Sequence, residues 1–275
     1  MIKSILVGIG GTEFTDIAAE RALEIAKIHN AQVNAVTVVD FKRLQKLGPV
    51  PPGAGSHARR LREIRTETAN ERIEAAVTKL DGGCQDLNVS CNIEREIGDP
   101  FEMLISHARY NDLIIFGLRS LFTYGFVKEP RDALIRLVSQ GVRPILAVSS
   151  ELRPVKRVLI AYSGSMESAK TMRYYVQLKP WTDVKLRIVH FGERAEHGTR
   201  LLADAHSYCR THGFDAETDL VEAPAREGLI KYAQENDFDL IVMGNSARNA
   251  IMRQLIGDTL LHTIQEADRP LFLAQ

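Results

Sequence analysis

Short apolar runs that end in glycine alternate along this chain with stretches whose apolar residues recur every three to four positions. The clearest run is Leu240–Gly244, preceded by Asp239 and bounded by its own glycine. That is the pattern of a strand buried on both faces of a parallel sheet. Beyond it, Leu260, Leu261, Ile264 and Ala267 recur at helical spacing until Arg269-Pro270 stops the helix, and Leu271-Phe272-Leu273 supplies one more strand. A strand, a glycine-punctuated loop and a helix start make a natural phosphate cradle, because backbone N–H groups and the helix dipole converge there.

The arrangement occurs twice. Asp112-Leu-Ile-Ile-Phe-Gly117 matches Asp239-Leu-Ile-Val-Met-Gly244, and Arg143-Pro144-Ile-Leu-Ala matches Arg269-Pro270-Leu-Phe-Leu. The openings pair as well, Ser4–Gly11 with Arg157–Gly164, each an apolar strand running into a glycine turn. Two head-to-tail copies of one domain, residues 1–150 and 155–275, explain all three matches, with Glu151–Pro154 as the linker.

Within the first copy the pattern predicts a strand at Ser4–Ile9, a turn at Gly10-Gly11-Thr12, a helix over Ile17–Ile28 and a strand over Ala31–Val39. The stretch Gly48–Gly55, with three prolines, reads as a mobile loop that the second copy lacks. A helix follows over His57–Leu80, with Leu61, Ile64, Ile73, Val77 and Leu80 as its apolar members. Its dense Arg/Glu face reads as a solvated surface with i,i+4 pairs. Then come a strand at Val89–Glu94, a turn whose Asp99 can cap a helix over Phe101–Tyr110, and strands at Leu113–Phe116 and Ile145–Val148. The second copy repeats the order: strand Val158–Tyr162, helix Glu167–Val176, strand Leu186–His190, helix Thr199–Thr211, strand Glu217–Val221 and helix Gly228–Gln234. Alternation of this kind means a doubly wound parallel sheet.

The 275 residues accommodate two domains of ordinary size. Lys+Arg and Asp+Glu are both 35, so no net field draws the chain to nucleic acid or an anionic membrane. No run approaches the length of a membrane span, and the first apolar run is too short for a signal peptide. Cys84, Cys91 and Cys209 form neither an even disulfide set nor a metal-ligand pattern, which favours a reducing cytoplasm.

Over essentially its whole length the chain resembles the universal stress protein family in its tandem form. The carrier is a family loop, G-x2-G-x9-G-[ST], after the fourth strand; Gly244, Ala247, Gly257 and Asp258 occupy its positions here, with Thr259 next. The spacing is complete, but Ala247 replaces a glycine and Asp258 a hydroxyl. The resemblance implies two five-stranded, doubly wound α/β domains of the adenine nucleotide alpha hydrolase-like kind, packed as an internal pseudo-dimer. It also implies a stress-response protein that acts by binding rather than turnover, with at most weak ATP hydrolysis.

In nucleotide-binding members this loop wraps the ribose and phosphates of ATP. The implied site for ATP or AMP, with Mg²⁺, therefore lies in the second copy among Ala161, Tyr162, Ser163, Val221, Met243, Gly244, Ala247, Arg248, Gly257, Asp258 and Thr259. Ser163 stands where the family usually has an aspartate that reaches the adenine. Arg248 and Arg253 could offset the Asp258 carboxylate, Thr259 could supply the hydroxyl one position late, or Asp258 could simply cap the last helix. In the first copy Gly117 and Ser120 remain, but Arg131 beside Pro130 stands where a glycine is needed, so that copy is not expected to bind nucleotide. The family's association through its last strand, here Ile145–Val148 and Leu271–Ala274, allows a pairing inside the chain and a homodimer through another face.

Two other classes compete. Ser163-Gly164-Ser165-Met166-Glu167-Ser168 is similar to the S-G-G-x-D-S loop of ATP pyrophosphatases, which would mean adenylating chemistry. A protein that acts only through its surfaces, with the loop as a remnant, is the second alternative. The chain has no Walker loop, no H-E-x-x-H and no dinucleotide fingerprint, and His190, His197, His206 and His262 lack ligand spacing. No catalytic or metal-binding residue is assigned.

Overall fold

A computed structural model of the chain describes residues 1–10, 13–39, 53–118, 143–192, 195–245 and 257–274. Its first half contains β1 (Ser4–Gly8), α1 (Glu13–His29), β2 (Gln32–Val39), α2 (Gly55–Leu87), β3 (Cys91–Ile97), α3 (Pro100–Ala108), β4 (Leu113–Gly117) and β5 (Ile145–Val148). The second contains β6 (Arg157–Ala161), α4 (Met166–Leu178), β7 (Lys185–Phe191), α5 (Ala195–Thr211), β8 (Ala216–Val221), α6 (Ala225–Glu235), β9 (Leu240–Gly244), α7 (Asp258–Glu266) and β10 (Leu271–Ala274).

All ten strands join one sheet in the order β3-β2-β1-β4-β5-β10-β9-β6-β7-β8. Every neighbouring pair is parallel except β5 and β10, where Leu146 faces Phe272 in an antiparallel ladder. Each half therefore has the same five-strand order, and the two last strands join them as an internal pseudo-dimer. The four strands at the centre, β4, β5, β9 and β10, are buried at every residue, which is why their sequences are unbroken apolar runs.

The repeated motifs are tethers. The Asp112 carboxylate accepts the backbone N–H groups of Lys3 (2.7 Å) and Ser4 (3.1 Å), and Asp239 accepts those of Lys156 (2.9 Å) and Arg157 (2.8 Å). Each aspartate thus fixes the start of its strand to the start of the neighbouring first strand. The repeated Arg-Pro works at the other approach to the sheet. Arg269, buried, donates through Nη1 to the carbonyls of Ala233 (2.8 Å) and Phe238 (2.7 Å), and Arg143 donates to the carbonyl of Arg109 (3.2 Å). Arg269 joins the N–H of Phe238 on the Ala233 carbonyl near the end of α6, and Arg143 reaches a carbonyl just past the end of α3, so both side chains add donors where a helix ends.

The halves also meet through side chains. Arg21 on α1 is 2% exposed, pairs with Glu24, donates to the carbonyl of Arg153 (2.6 Å) and lies 5.3 Å from the centre of the Trp181 ring. The Trp181 indole N–H donates to Glu24 (2.9 Å), closing the cluster.

Several boundaries differ from the sequence pattern. Helix α2 continues past Leu80 through Gly82-Gly83 to Leu87, because Gly83 lies against α1: a β-carbon there would stand 2.7 Å from Leu23. Leu61 and Ile64, expected on its packed side, are exposed; its continuous buried stripe runs from Ala69 to Cys84. The charged face includes pairs that cross to other elements, Lys79 to Asp16 and Glu20, and Arg95 to Glu74. Strand β3 begins at Cys91 and runs on to Ile97, where it still pairs with Val39. Asp99 caps α3 as expected, accepting the N–H of Glu102 (3.1 Å). Of the Gly48–Gly55 loop, residues 48–52 lie outside the described residues.

The cysteine expectation is corrected. Cys84, in the last turn of α2, and Cys91, at the start of β3, are disulfide-bonded with their α-carbons 6.3 Å apart, so the spacing hid a pair that the α2–β3 turn brings together. Cys209 is free and buried, and burial pushes its thiol up to about 12. A thiol-reagent titration of unreduced protein should find no fast-reacting thiol when native, one after unfolding and three after reduction. Arg21→Ala should lower the stability to urea unfolding by roughly 2–4 kcal/mol, because it removes an ion pair, a carbonyl bond and a ring contact together.

Candidate functional site

The C-terminal ends of β6 and β9 lie side by side, with Ala161 opposite Met243. At such a point in an open α/β sheet the chain leaves each strand toward a helix, and ligands bind in the crevice so formed. Beyond Ala161, Tyr162 donates its N–H to Val189 (2.9 Å) and accepts Nδ1–H of the buried His190 at its carbonyl (2.8 Å). That acceptor fixes the protonated nitrogen of His190, so this histidine is a satisfied interior group. Burial first, then the charges of Asp204 and Cys209, raise the Tyr162 phenol. These neighbours belong to α5, so the ring is turned toward that helix, while the backbone of Tyr162 is bonded to β7.

Ser163, Gly164 and Ser165 make the turn. Gly164 has φ +78°, a value that an L side chain rarely adopts. Ser165 is the N-cap of α4, accepting the N–H of Ser168 (3.2 Å). The hydroxyls of Ser163, Ser165 and Ser168 stand 3.1–3.3 Å apart, a hydroxyl cluster at the positive end of the helix dipole.

Strand β9 ends against the same helix start. A β-carbon on Gly244 would stand 2.5 Å from the Glu167 carbonyl oxygen and 2.7 Å from the Ser168 nitrogen. Backbone cannot yield as a flexible side chain can, so this position admits only glycine. The next residue, Asn245, is 2% exposed; its Oδ1 accepts the N–H of Gly257 (3.0 Å), while its Nδ2 has no partner among the described residues. Gly257 is the N-cap of α7. One strand end is thus bound to two helix starts, α4 through Gly244 and α7 through Asn245.

Of the alternatives open for Asp258, capping of the last helix is the one that the backbone does not support. Asp258 is the first residue of α7, exposed, and makes no cap bond; Gly257 occupies the cap with its N–H held by Asn245. A carboxylate in the first turn still suits the dipole. Thr259 is half-buried in the same turn, and Val221 ends β8, half-buried, at the same edge of the sheet as Ala161 but two strands away. The structure therefore brings together Ala161, Tyr162, Ser163, Met243, Gly244, Gly257, Asp258 and Thr259. Ala247 and Arg248 lie outside the described residues, as do Arg253 and, in the first half, Ser120, Pro130, Arg131 and Asp132.

Sequence reasoning missed Asn245. Its signal was present: an amide directly after a buried strand, at a point where the chain turns.

Chemically, an unpartnered buried amide donor, three hydroxyls and two helix N-termini offer hydrogen bonds and positive potential to an anionic oxygen. Among the described residues of this arrangement no nucleophile is paired with a base.

Comparison with known proteins agrees with this fold. The model of the universal stress protein family matches residues 1–137 and 192–275. A universal stress protein of Synechocystis is 21% identical over 285 residues, covering 98% of both chains. A universal stress protein from Archaeoglobus fulgidus superposes with TM-score 0.72 at 17% identity, covering 99% of this chain and 96% of the other. A protein of unknown function from Pseudomonas aeruginosa PAO1 follows with TM-score 0.63 at 16% identity, covering 99% and 92%.

Gly244→Ala should lower stability by roughly 1–3 kcal/mol through overpacking against the α4 backbone, and Ser165→Ala by about 1 kcal/mol through loss of the cap. Denaturant unfolding of both variants checks the two values.

Proposed function

This chain belongs to the universal stress protein family, and from that premise we propose that its second half binds ATP or AMP, with Mg²⁺, as the signal in a stress response. The carrying observation is Asn245, whose buried Nδ2 lacks a partner among the described residues while its Oδ1 holds the start of α7. A buried donor without an acceptor costs about 1–3 kcal/mol. An oxygen of a bound nucleotide would satisfy it and would lie at the N-terminus of α7, where the dipole favours negative charge.

The base would lie toward Ala161, the Tyr162 backbone and Val221, and the phosphates toward Gly244, Gly257 and Thr259. Ser163 replaces the family's adenine-reaching aspartate, so it offers the base a hydroxyl rather than a charge. The exposed Asp258 carboxylate repels phosphate directly, and Mg²⁺ would bridge the two. The role proposed is binding, with ATP hydrolysis weak at most. ATP or AMP as the ligand supports a cytoplasmic location, where these nucleotides are supplied, whereas the Cys84–Cys91 disulfide is more usual in an oxidising compartment. No described helix is long and apolar enough to cross a membrane. A homodimer would use a face other than β5 and β10, because those two strands pair with each other.

The alternative is a protein that works through its surfaces without nucleotide, favoured by two observations, Ser163 at the adenine end and Asp258 at the phosphate end. Calorimetric titration with ATP and Mg²⁺ separates the readings. Nucleotide binding predicts one site per chain with micromolar affinity, abolished by Gly257→Arg, which puts the first half's residue into the second. Absence of heat in the wild type, or unchanged affinity in that variant, would contradict the site.

A further inference from the structure

We propose a second site, for a divalent transition-metal cation of the Zn²⁺ kind, on the first half between β3 and α3. Glu94 and Glu96 sit two apart on β3 and so share one face of that strand, while His107 lies in the last turn of α3. One donor atom from each falls within 4.8 Å of the other two, and all three side chains are partly buried. His107 Nε2 stands 3.8 Å from Glu94 Oε2 and 3.5 Å from Glu96 Oε1.

These separations are longer than a hydrogen bond. A protonated imidazole held only by two carboxylates would draw them in to contact. Two donors each about 2.1 Å from a tetrahedral ion stand about 3.4 Å apart, close to the 3.5 Å between His107 and Glu96 and a little inside the 3.8 Å between His107 and Glu94, so a small inward movement of the side chains would complete the set.

The carboxylate is also held for the task. Asn92, two residues earlier on the same face, donates Nδ2–H to Glu94 Oε1 (2.8 Å), leaving Oε2 as the oxygen turned toward His107. An amide that fixes the outer oxygen of a ligand is the second-sphere arrangement that metal sites use.

Two carboxylates and a neutral imidazole balance a divalent charge. The mixed oxygen and nitrogen set suits Zn²⁺ better than Mg²⁺ or Ca²⁺, which prefer oxygen alone. Three protein ligands leave a fourth position for water. Bound there, the ion ties the sheet's edge strand to the end of α3. The sequence concealed the site because the ligands arise from a strand and a helix with a turn between them, so no compact spacing exists.

The test is competition for Zn²⁺ between the full chain and a chromophoric chelator, comparing the wild type with His107→Gln, Glu96→Gln and Asn92→Ala, with far-UV circular dichroism as the check on folding. The wild type should take one more equivalent of Zn²⁺ per chain than His107→Gln. Glu96→Gln and Asn92→Ala should each weaken that equivalent by about tenfold or more. Equal Zn²⁺ stoichiometry and affinity in the wild type, His107→Gln and Glu96→Gln would overturn the assignment, as would a wild type that takes no stoichiometric Zn²⁺. Should His107→Gln fail to fold, Glu96→Gln decides alone, because its side chain is isosteric and partly exposed.

Discussion

Leu146 and Phe272 face each other across the antiparallel ladder of β5 and β10, and that ladder is what makes one sheet of two half-sheets. A strand in the middle of a parallel sheet needs partners on both sides, and an apolar strand left at an edge would invite another chain to pair with it. By joining last strand to last strand, the chain buries both. The remaining edges, β3 and β8, are made almost wholly of exposed and half-buried residues and carry charged side chains, as tolerated edges do. Once the sheet is continuous, the C-terminal ends of β6 and β9 are held at fixed separation, and the helix starts that follow them converge.

The same joint explains how two copies can differ without unfolding. Asp112 and Asp239, and Arg143 and Arg269, keep equivalent tethers in both halves. These bonds support the strands and leave the loops free to change. The second half retains the strand end on which a nucleotide site depends, with Gly244 against α4 and Asn245 against α7. The first half carries a different candidate chemistry at its edge, two carboxylates and an imidazole. Each half keeps the scaffold and has a distinct polar cluster placed on it.

Much of the fold was legible. Unbroken apolar runs ended by glycine specify strands covered on both faces, and three matched pairs of motifs specify a repeat, so element order and the doubly wound arrangement follow from pattern alone. Boundaries were less legible where tertiary contact decides them. Gly82-Gly83 looks like a stop, yet it continues α2 because a glycine lets Leu23 approach. Cys84 and Cys91 looked unpaired because seven residues of separation say nothing about a helix end meeting a strand start. Of the site, the glycines and the neighbouring strand ends were legible from the family loop. Asn245 was not, since its role depends on two hydrogen-bonding atoms that a buried position treats differently, one satisfied and one left open. Asp258 looked like a cap, but a cap is defined by backbone geometry, and that geometry belongs to Gly257.

The central claim is that the end of β9 receives a nucleotide through Asn245 and the start of α7. The most direct measurement is an NMR titration of isotopically labelled protein with ATP and Mg²⁺, following the side-chain amide of Asn245 and the backbone amide of Gly257. The account predicts that both resonances shift together and saturate at one nucleotide per chain, while the equivalent strand end at Gly117 stays unmoved. Saturable shifts confined to other residues, or no shift at Asn245 at saturating nucleotide, would contradict it.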